Sequence, residues 1–255
     1  MSVRFLILRG RHLMLLGAVL VSVAILAAVG TPAAVTVTAA ARQLPIYCVE
    51  RDQKVCSISF DAAWGADNTE KILDVLDEYG VKATFFVVSA WAEQYPDTAK
   101  AIVARGHELM NHSSKHDHYN ALSTDQIIAD VNKCNSVIET LTGVCPTLIR
   151  CPFGEYDDHV ISAIRSIGME PIQWDVDSLD WKGISASEIT KRVTGKVGSG
   201  SIVLFHNAGE HTPEALPDIL QYLRQEGYEL VPISQILLGG EYTINHEGRQ
   251  CAVKE

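Results

Sequence analysis

The chain has 255 residues, 47% of them hydrophobic, enough to bury one large core. Its formal net charge is −10, and beyond residue 41 there are 18 basic residues against 31 acidic ones. That excess argues against nucleic acid or another phosphate-backbone partner and leaves a small or neutral substrate.

Residues 1–41 carry Arg4, Arg9 and Arg11 ahead of a charge-free stretch, Leu13 to Ala41, whose most apolar part is Leu13 to Val29. A bilayer span needs roughly 20 apolar residues. The pattern predicts a signal-anchor, with a cleaved signal peptide cut near Ala39-Ala40-Ala41 as the alternative. Either places the remainder outside the cytoplasm, and the anchor makes the membrane a partner. Residues 42–53 read as a linker.

From there strands and helices alternate. Val55 to Phe60 is a β-rich run. Thr69 to Tyr79 repeats apolar residues at helical spacing and stops at Gly80. Ala83 to Val88 is a second strand, Pro96 to Ala104 a helix, and Glu108 to Met110 a third strand. Ser123-Thr124-Asp125-Gln126 is a capping box opening a helix to about Leu141. Thr147 to Arg150 reads as strand, Asp158 to Ile167 as helix and Glu170 to Trp174 as strand. Ser185-Ala186-Ser187-Glu188 is a second capping box, with a helix to about Val197. Ser201 to Phe205 is a nearly all-apolar strand. A helix starts at Thr212-Pro213, and a short strand lies at Glu229-Leu230. The tail, 239–255, has no strong period. This alternation implies an α/β fold with a mostly parallel sheet, either an open sheet or a barrel. Asp61-Ala62-Ala63-Trp64-Gly65 after the first strand is not a dinucleotide-binding glycine motif.

Six cysteines are present and no CxxC. A zinc ribbon and a thioredoxin-like site are therefore excluded, and pairing is left open.

The predicted strand ends carry the chemistry. Asp61 follows the first strand, His112 and His116 the third, Arg150 ends the fourth, Asp175, Asp177 and Asp180 follow the fifth, and His206 follows Leu204-Phe205. Functional groups of α/β barrels gather at this carboxyl edge. Two imidazoles four residues apart can close on one divalent ion. Asp61 is then a candidate base, kept ionised by Arg150, and His206 a candidate acid charged by Asp180. Such a set suits metal-assisted amide or ester hydrolysis.

Ser59-Phe60-Asp61, His112-Ser-Ser-Lys-His116, Arg150-Cys-Pro-Phe-Gly154, Asp177-Ser-Leu-Asp180-Trp181 and Leu204-Phe-His206 occur in the order of the NodB-type polysaccharide deacetylases, carbohydrate esterase family four. The chain resembles that family from about Lys54 to Leu238, and its Phe60–Gly65 and Trp174–Trp181 stretches look like the sporulation-associated PdaB-like branch. The resemblance implies a deformed (β/α) barrel over 54–238. It implies that Asp61 is the base, that Arg150 orients it, that Asp180 tunes the acid His206, and that His112 and His116 hold a divalent metal, zinc or else cobalt or nickel. Trp181 and Leu204 would line an acetyl pocket, with the backbone N–H beside Phe153 helping to hold the oxyanion. The implied reaction removes N-acetyl groups from an aminosugar glycan, peptidoglycan or a related wall or spore polymer. An O-acetyl glycan esterase is an alternative.

The chain departs from the family at three positions. Ala62 stands where a second aspartate usually completes the metal site, with Asp67 as a candidate substitute. Cys151 replaces the usual proline and is expected to pack rather than bind metal. Phe153 stands where tyrosine is common. Ala62 opens a further alternative, an inert glycan-binding or spore-assembly protein of the same fold.

Overall fold

The computed structural model describes residues 42–253. The segment 1–41, expected to be a signal-anchor or signal peptide, lies outside them. No helix among the described residues is long and apolar enough to cross a membrane.

In chain order the elements are β1 (Cys48–Val49), β2 (Val55–Ala62), α1 (Thr69–Glu78), β3 (Thr84–Val87), α2 (Ser89–Gln94), α3 (Pro96–Ala104), β4 (Glu108–Asn111), α4 (Thr124–Thr142), β5 (Leu148–Ile149), α5 (Asp158–Ser166), β6 (Glu170–Pro171), β7 (Val176–Asp177), α6 (Ala186–Thr194), β8 (Ile202–His206), α7 (Thr212–Gln225), β9 (Glu229–Leu230), α8 (Ile233–Ile236), β10 (Tyr242–Ile244) and β11 (Arg249–Ala252). Both capping boxes form: Ser123 and Ser185 each accept from the backbone of the third helical residue, whose side chain returns the bond.

The main sheet runs β6-β5-β4-β3-β2-β8-β7 with every pairing parallel, and β9 adds to the start of β2. Helices cover its outer face. The sheet curls into a deformed (β/α) barrel that stays open between β6 and β7. Ile46 bridges to Ile172 beside that opening.

The two faces of β2 explain the layering. Ile58, Phe60 and Ala62 join the apolar cluster between sheet and helices, with Leu73, Ile102 and Leu220. Side chains alternate along a strand, so Ser57, Ser59 and Asp61 turn into the barrel. There a smaller cluster of Val55, Phe86, Met110, Leu148, Ile172 and Ile202 fills the lower interior. The polar residues lie above it at the strands' carboxyl ends.

The segment 42–53, expected as a linker, carries β1, and the unpatterned tail carries β10 and β11. Together they form a sheet in the order β1-β11-β10. Strands of two to four residues are too short to show a period. Their seat depends on Gly200, whose φ is +83° and where a Cβ would fall 1.7 Å from the carbonyl oxygen of Val49. We expect Gly200→Ala to cost at least about 2 kcal/mol through strain and displacement of β1. Thermal unfolding should show a midpoint lower by roughly 4–8 °C.

Candidate active site

Parallel registry brings the first two groups together. Asp61 on β2 pairs with His206 on β8 and with Phe86 on β3. Asp61 is 6% exposed. Burial alone would raise its carboxyl pKa, but the Arg150 guanidinium, with His112 and His206 beyond it, outweighs burial and holds it below the ordinary carboxylate range.

Arg150 is fully buried. Its Nη1 donates to Asp61 Oδ1 at 2.7 Å, and its Nη2 donates to Ser59 Oγ at 2.9 Å and to the Gln173 carbonyl at 3.1 Å. Phe86 and Trp174 flank the guanidinium at 4.3 and 5.5 Å from their ring centroids. A planar cation between aromatic faces is a well-matched partner for a buried carboxylate.

His206 is held from the other side. Its Nδ1 lies 2.8 Å from Asp180 Oδ1, and its backbone N–H donates to Asp180 Oδ2 at 2.8 Å. Thr212 Oγ1 donates to the same Oδ2 at 2.6 Å. Burial pulls the imidazolium pKa down, but the bond and charge of Asp180, then the charge of Asp61, lift it above 6.5. Gly209 makes the arrangement possible, since a Cβ there would lie 2.1 Å from Thr212 Oγ1 and 2.7 Å from Asp180 Oδ2.

His112 and His116 follow β4, their ring centroids 5.0 Å apart. His112 Nδ1 sits 2.7 Å from the Arg150 carbonyl, which can only accept, so the ring donates there and leaves Nε2 as an acceptor. That Nε2 is 3.6 Å from Asp61 Oδ2, the oxygen Arg150 does not hold. His116 Nδ1 is buried without a partner among the described residues. Burial keeps both rings neutral, with His116, further opposed by His112, pushed down to about 4.

The loops bearing these groups are strained. Ser113, His116, Phe153 and Leu179 are the non-glycine residues with positive φ among those described. Each costs about 1–3 kcal/mol and persists only if its surroundings over-determine it. Asn111 Oδ1 accepts from the Ser113 N–H, Ser113 Oγ from the His116 N–H, and Asp130 from the Ser114 N–H and the Tyr119 hydroxyl. Asp177 Oδ1 accepts from the Leu179 N–H.

Asp61, both imidazoles of the pair and the Asp180–His206 couple open on one cavity of about 710 Å³. Asp61, His112, His116, Phe153, Asp180, Trp181, Leu204 and His206 line it, and Arg150 is buried behind the lining, bonded to Asp61.

Sequence similarity decides what family this is. The polysaccharide deacetylase family model matches residues 49–172. The Bc1960 peptidoglycan N-acetylglucosamine deacetylase structure superposes with a TM-score of 0.71 at 30% identity, covering 75% of this chain and 91% of that one. The chain belongs to the polysaccharide deacetylase family.

Peptidoglycan-N-acetylmuramic acid deacetylase PdaC of Bacillus subtilis is 34% identical over 188 residues, 74% of this chain. The chain spans only 40% of PdaC's length. The solved structure of BA3943 from Bacillus anthracis, described as a CE4 family pseudoenzyme, superposes with a TM-score of 0.73 at 33% identity, covering 75% of this chain and 68% of that one. A BA3943 mutant is described as having restored enzymatic activity. This family therefore has both active and inactive members close to the chain.

Within the deacetylase fold, the imidazole pair suits a divalent ion. Two neutral rings stand together, one with a free Nε2 and the other with an orphaned Nδ1. The set is incomplete, because zinc sites usually take three protein ligands. No cluster of three or more His, Cys, Asp or Glu placed to hold a metal occurs among the described residues. Ala62 faces the helices and is fully buried in the apolar cluster. The candidate substitute, Asp67, is exposed on the turn before α1. Cys151 packs among Tyr119, Ile149 and Val160, and burial pushes its thiol up to about 12, so it behaves as a core residue. Every cysteine in the described residues is a free thiol.

Ser59, Gln173, Gly209 and Thr212 support the site, and residue order assigned none of them a role in it. Thr212 resembles a helix cap in sequence, but His211 occupies that position and the Thr212 hydroxyl goes to Asp180.

Removing Arg150 strands a buried carboxylate. We expect Arg150→Met to destabilise the fold by about 3–5 kcal/mol. Asp61→Asn should cost less in that background than in the parent, which a denaturant double-mutant cycle would show.

Proposed function

We propose that the chain is a hydrolase that removes N-acetyl groups from an aminosugar polysaccharide of the cell wall, peptidoglycan or a close relative. The observation that carries this is the paired polarity of the cavity floor. An ionised carboxylate on β2 and an imidazole with a raised pKa on β8 stand at adjacent register positions, each fixed by a buried partner.

In this reading Asp61 Oδ2 takes a proton from a water in the cavity, and the water oxygen attacks the amide carbonyl carbon. His206 Nε2, free because Asp180 engages Nδ1, gives its proton to the leaving nitrogen. Acetate and a free amine result. Leu204 and Trp181 shape the space for the methyl group, and the Phe153 backbone N–H is the donor for the developing oxyanion. A divalent metal, zinc or alternatively cobalt or nickel, held by His112 and His116, would polarise the carbonyl and the water. These roles follow the family pattern at matching positions, and the wall-directed substrate follows from the activities the relatives are named for. An extracytoplasmic location, through the N-terminal segment, belongs to the same proposal.

The second reading, a glycan-binding protein without turnover, is favoured by Ala62 and by the similarity to the BA3943 pseudoenzyme. Acetate release from N-acetylated chitooligomers, followed against pH with metal content measured in parallel, separates the two. Hydrolysis needs Asp61 deprotonated and His206 protonated. The rate should therefore hold from the acid side, where Asp61 ionises below its usual range, and fall on the alkaline side above pH 6.5 as His206 loses its proton. Asp180→Asn should move that alkaline limb to lower pH. Asp61→Asn should reduce release at least about 100-fold with the fold retained. Wild-type protein that carries metal but releases no acetate would establish the second reading.

A further inference from the structure

Among the described residues the exposed large apolar side chains are Trp64 at 63%, Trp181 at 59%, Phe153 at 53% and Val253. The three aromatic ones all line the same cavity. Exposed aromatic surface concentrated at one mouth marks a binding surface more often than a packing accident. The three rings are not equivalent. Phe153 lies flat against His118, with centroids 4.1 Å apart and planes 8° from parallel, and meets the His116 ring at 4.4 Å. One of its faces is covered by the His118 ring. Trp64 makes one aromatic contact, an edge-on one to His116 at 4.7 Å, and most of its ring stays in solvent. The hydrolytic scheme gives Trp64 no task.

Its place in the sheet suggests one. Trp64 follows β2, His206 ends β8, and Trp181 follows β7, and these strands are neighbours in the order β2-β8-β7. The two indoles therefore stand on loops either side of the strand that carries His206. Two strand spacings amount to about 10 Å, wider than one sugar ring. Asp177 and Glu210 also line the cavity and offer acceptors to sugar hydroxyls. A pyranose ring presents an apolar C–H face that covers an indole well and hydroxyls that remain in water.

We propose that Trp64 is a stacking platform for a sugar unit adjoining the one whose acetyl group enters the cavity, so that the site selects an oligomer over a single sugar. This rests on the cavity being a glycan site, but not on turnover. Trp64 on the β2 side and Trp181 on the β7 side then fix the line along which the chain crosses His206.

The test is equilibrium binding by calorimetry of N-acetylglucosamine and of its tetramer to the full chain, with acetate release assayed separately. The wild type should bind the tetramer more tightly than the monomer. Trp64→Ala should weaken tetramer binding about ten-fold, the scale of one buried aromatic face, and leave monomer binding unchanged. Trp64→Phe should restore most of the loss, and circular dichroism should match the parent for both variants. Equal tetramer affinity in Trp64→Ala and wild type, equal losses on monomer and tetramer, or no length preference in the wild type would each overturn the proposal. Length-dependent binding without acetate release would uphold it and remove the hydrolase reading instead.

Discussion

The buried guanidinium of Arg150 is the constraint around which the site is built. It is the largest charged side chain taken wholly out of water among the described residues, and it lies against two aromatic rings. A cation in that position demands an anion, and Asp61 supplies it from the inward face of β2. The pairing has a chemical consequence. One carboxylate oxygen is occupied, the other is left facing His112 Nε2, and the charge is kept at a depth where burial alone would extinguish it. The ion pair also ties β2 to the opening of the barrel, since the same guanidinium reaches Ser59 and the Gln173 carbonyl.

The second half of the cavity repeats the device with opposite sign. Asp180 is engaged by His206 and Thr212, and its bond and charge raise the pKa of the imidazole. An anion held by a buried cation thus faces a cation held by a buried anion across one β-pairing. Backbone strain at Ser113, His116, Phe153 and Leu179 is confined to the loops that aim these groups, and hydrogen bonds from Asn111, Ser113, Asp130 and Asp177 hold the strained turns in place. That rigidity leaves the groups little reorganisation to make when a reaction begins.

Much of this was legible from residue order. The strand and helix periods between Val55 and Leu230 implied a mostly parallel α/β sheet, open or closed, the resemblance in motif order pointed to the barrel, and polar residues closing apolar runs marked Asp61, His112, Arg150 and His206. What stayed hidden has physical reasons. Strands β1, β7, β10 and β11 are two to four residues long and carry no period. Thr212 and Gly209 act through approach distances that only folding creates. Ala62 looked like a missing ligand in sequence, and its burial on the helix side of β2 shows why no neighbouring carboxylate takes its place: the position belongs to the core.

Hydrolysis in this cavity requires Asp61 and His206 to sit in opposite ionisation states near neutral pH. A pH titration by nuclear magnetic resonance of carboxyl-labelled aspartate and ring-labelled histidine reads both groups in the folded chain. The expected result is an Asp61 carboxyl that titrates below 3.8 and a His206 ring that titrates above 6.5. An Asp61 that takes up its proton above 3.8, or a His206 already neutral at 6.5, would contradict it.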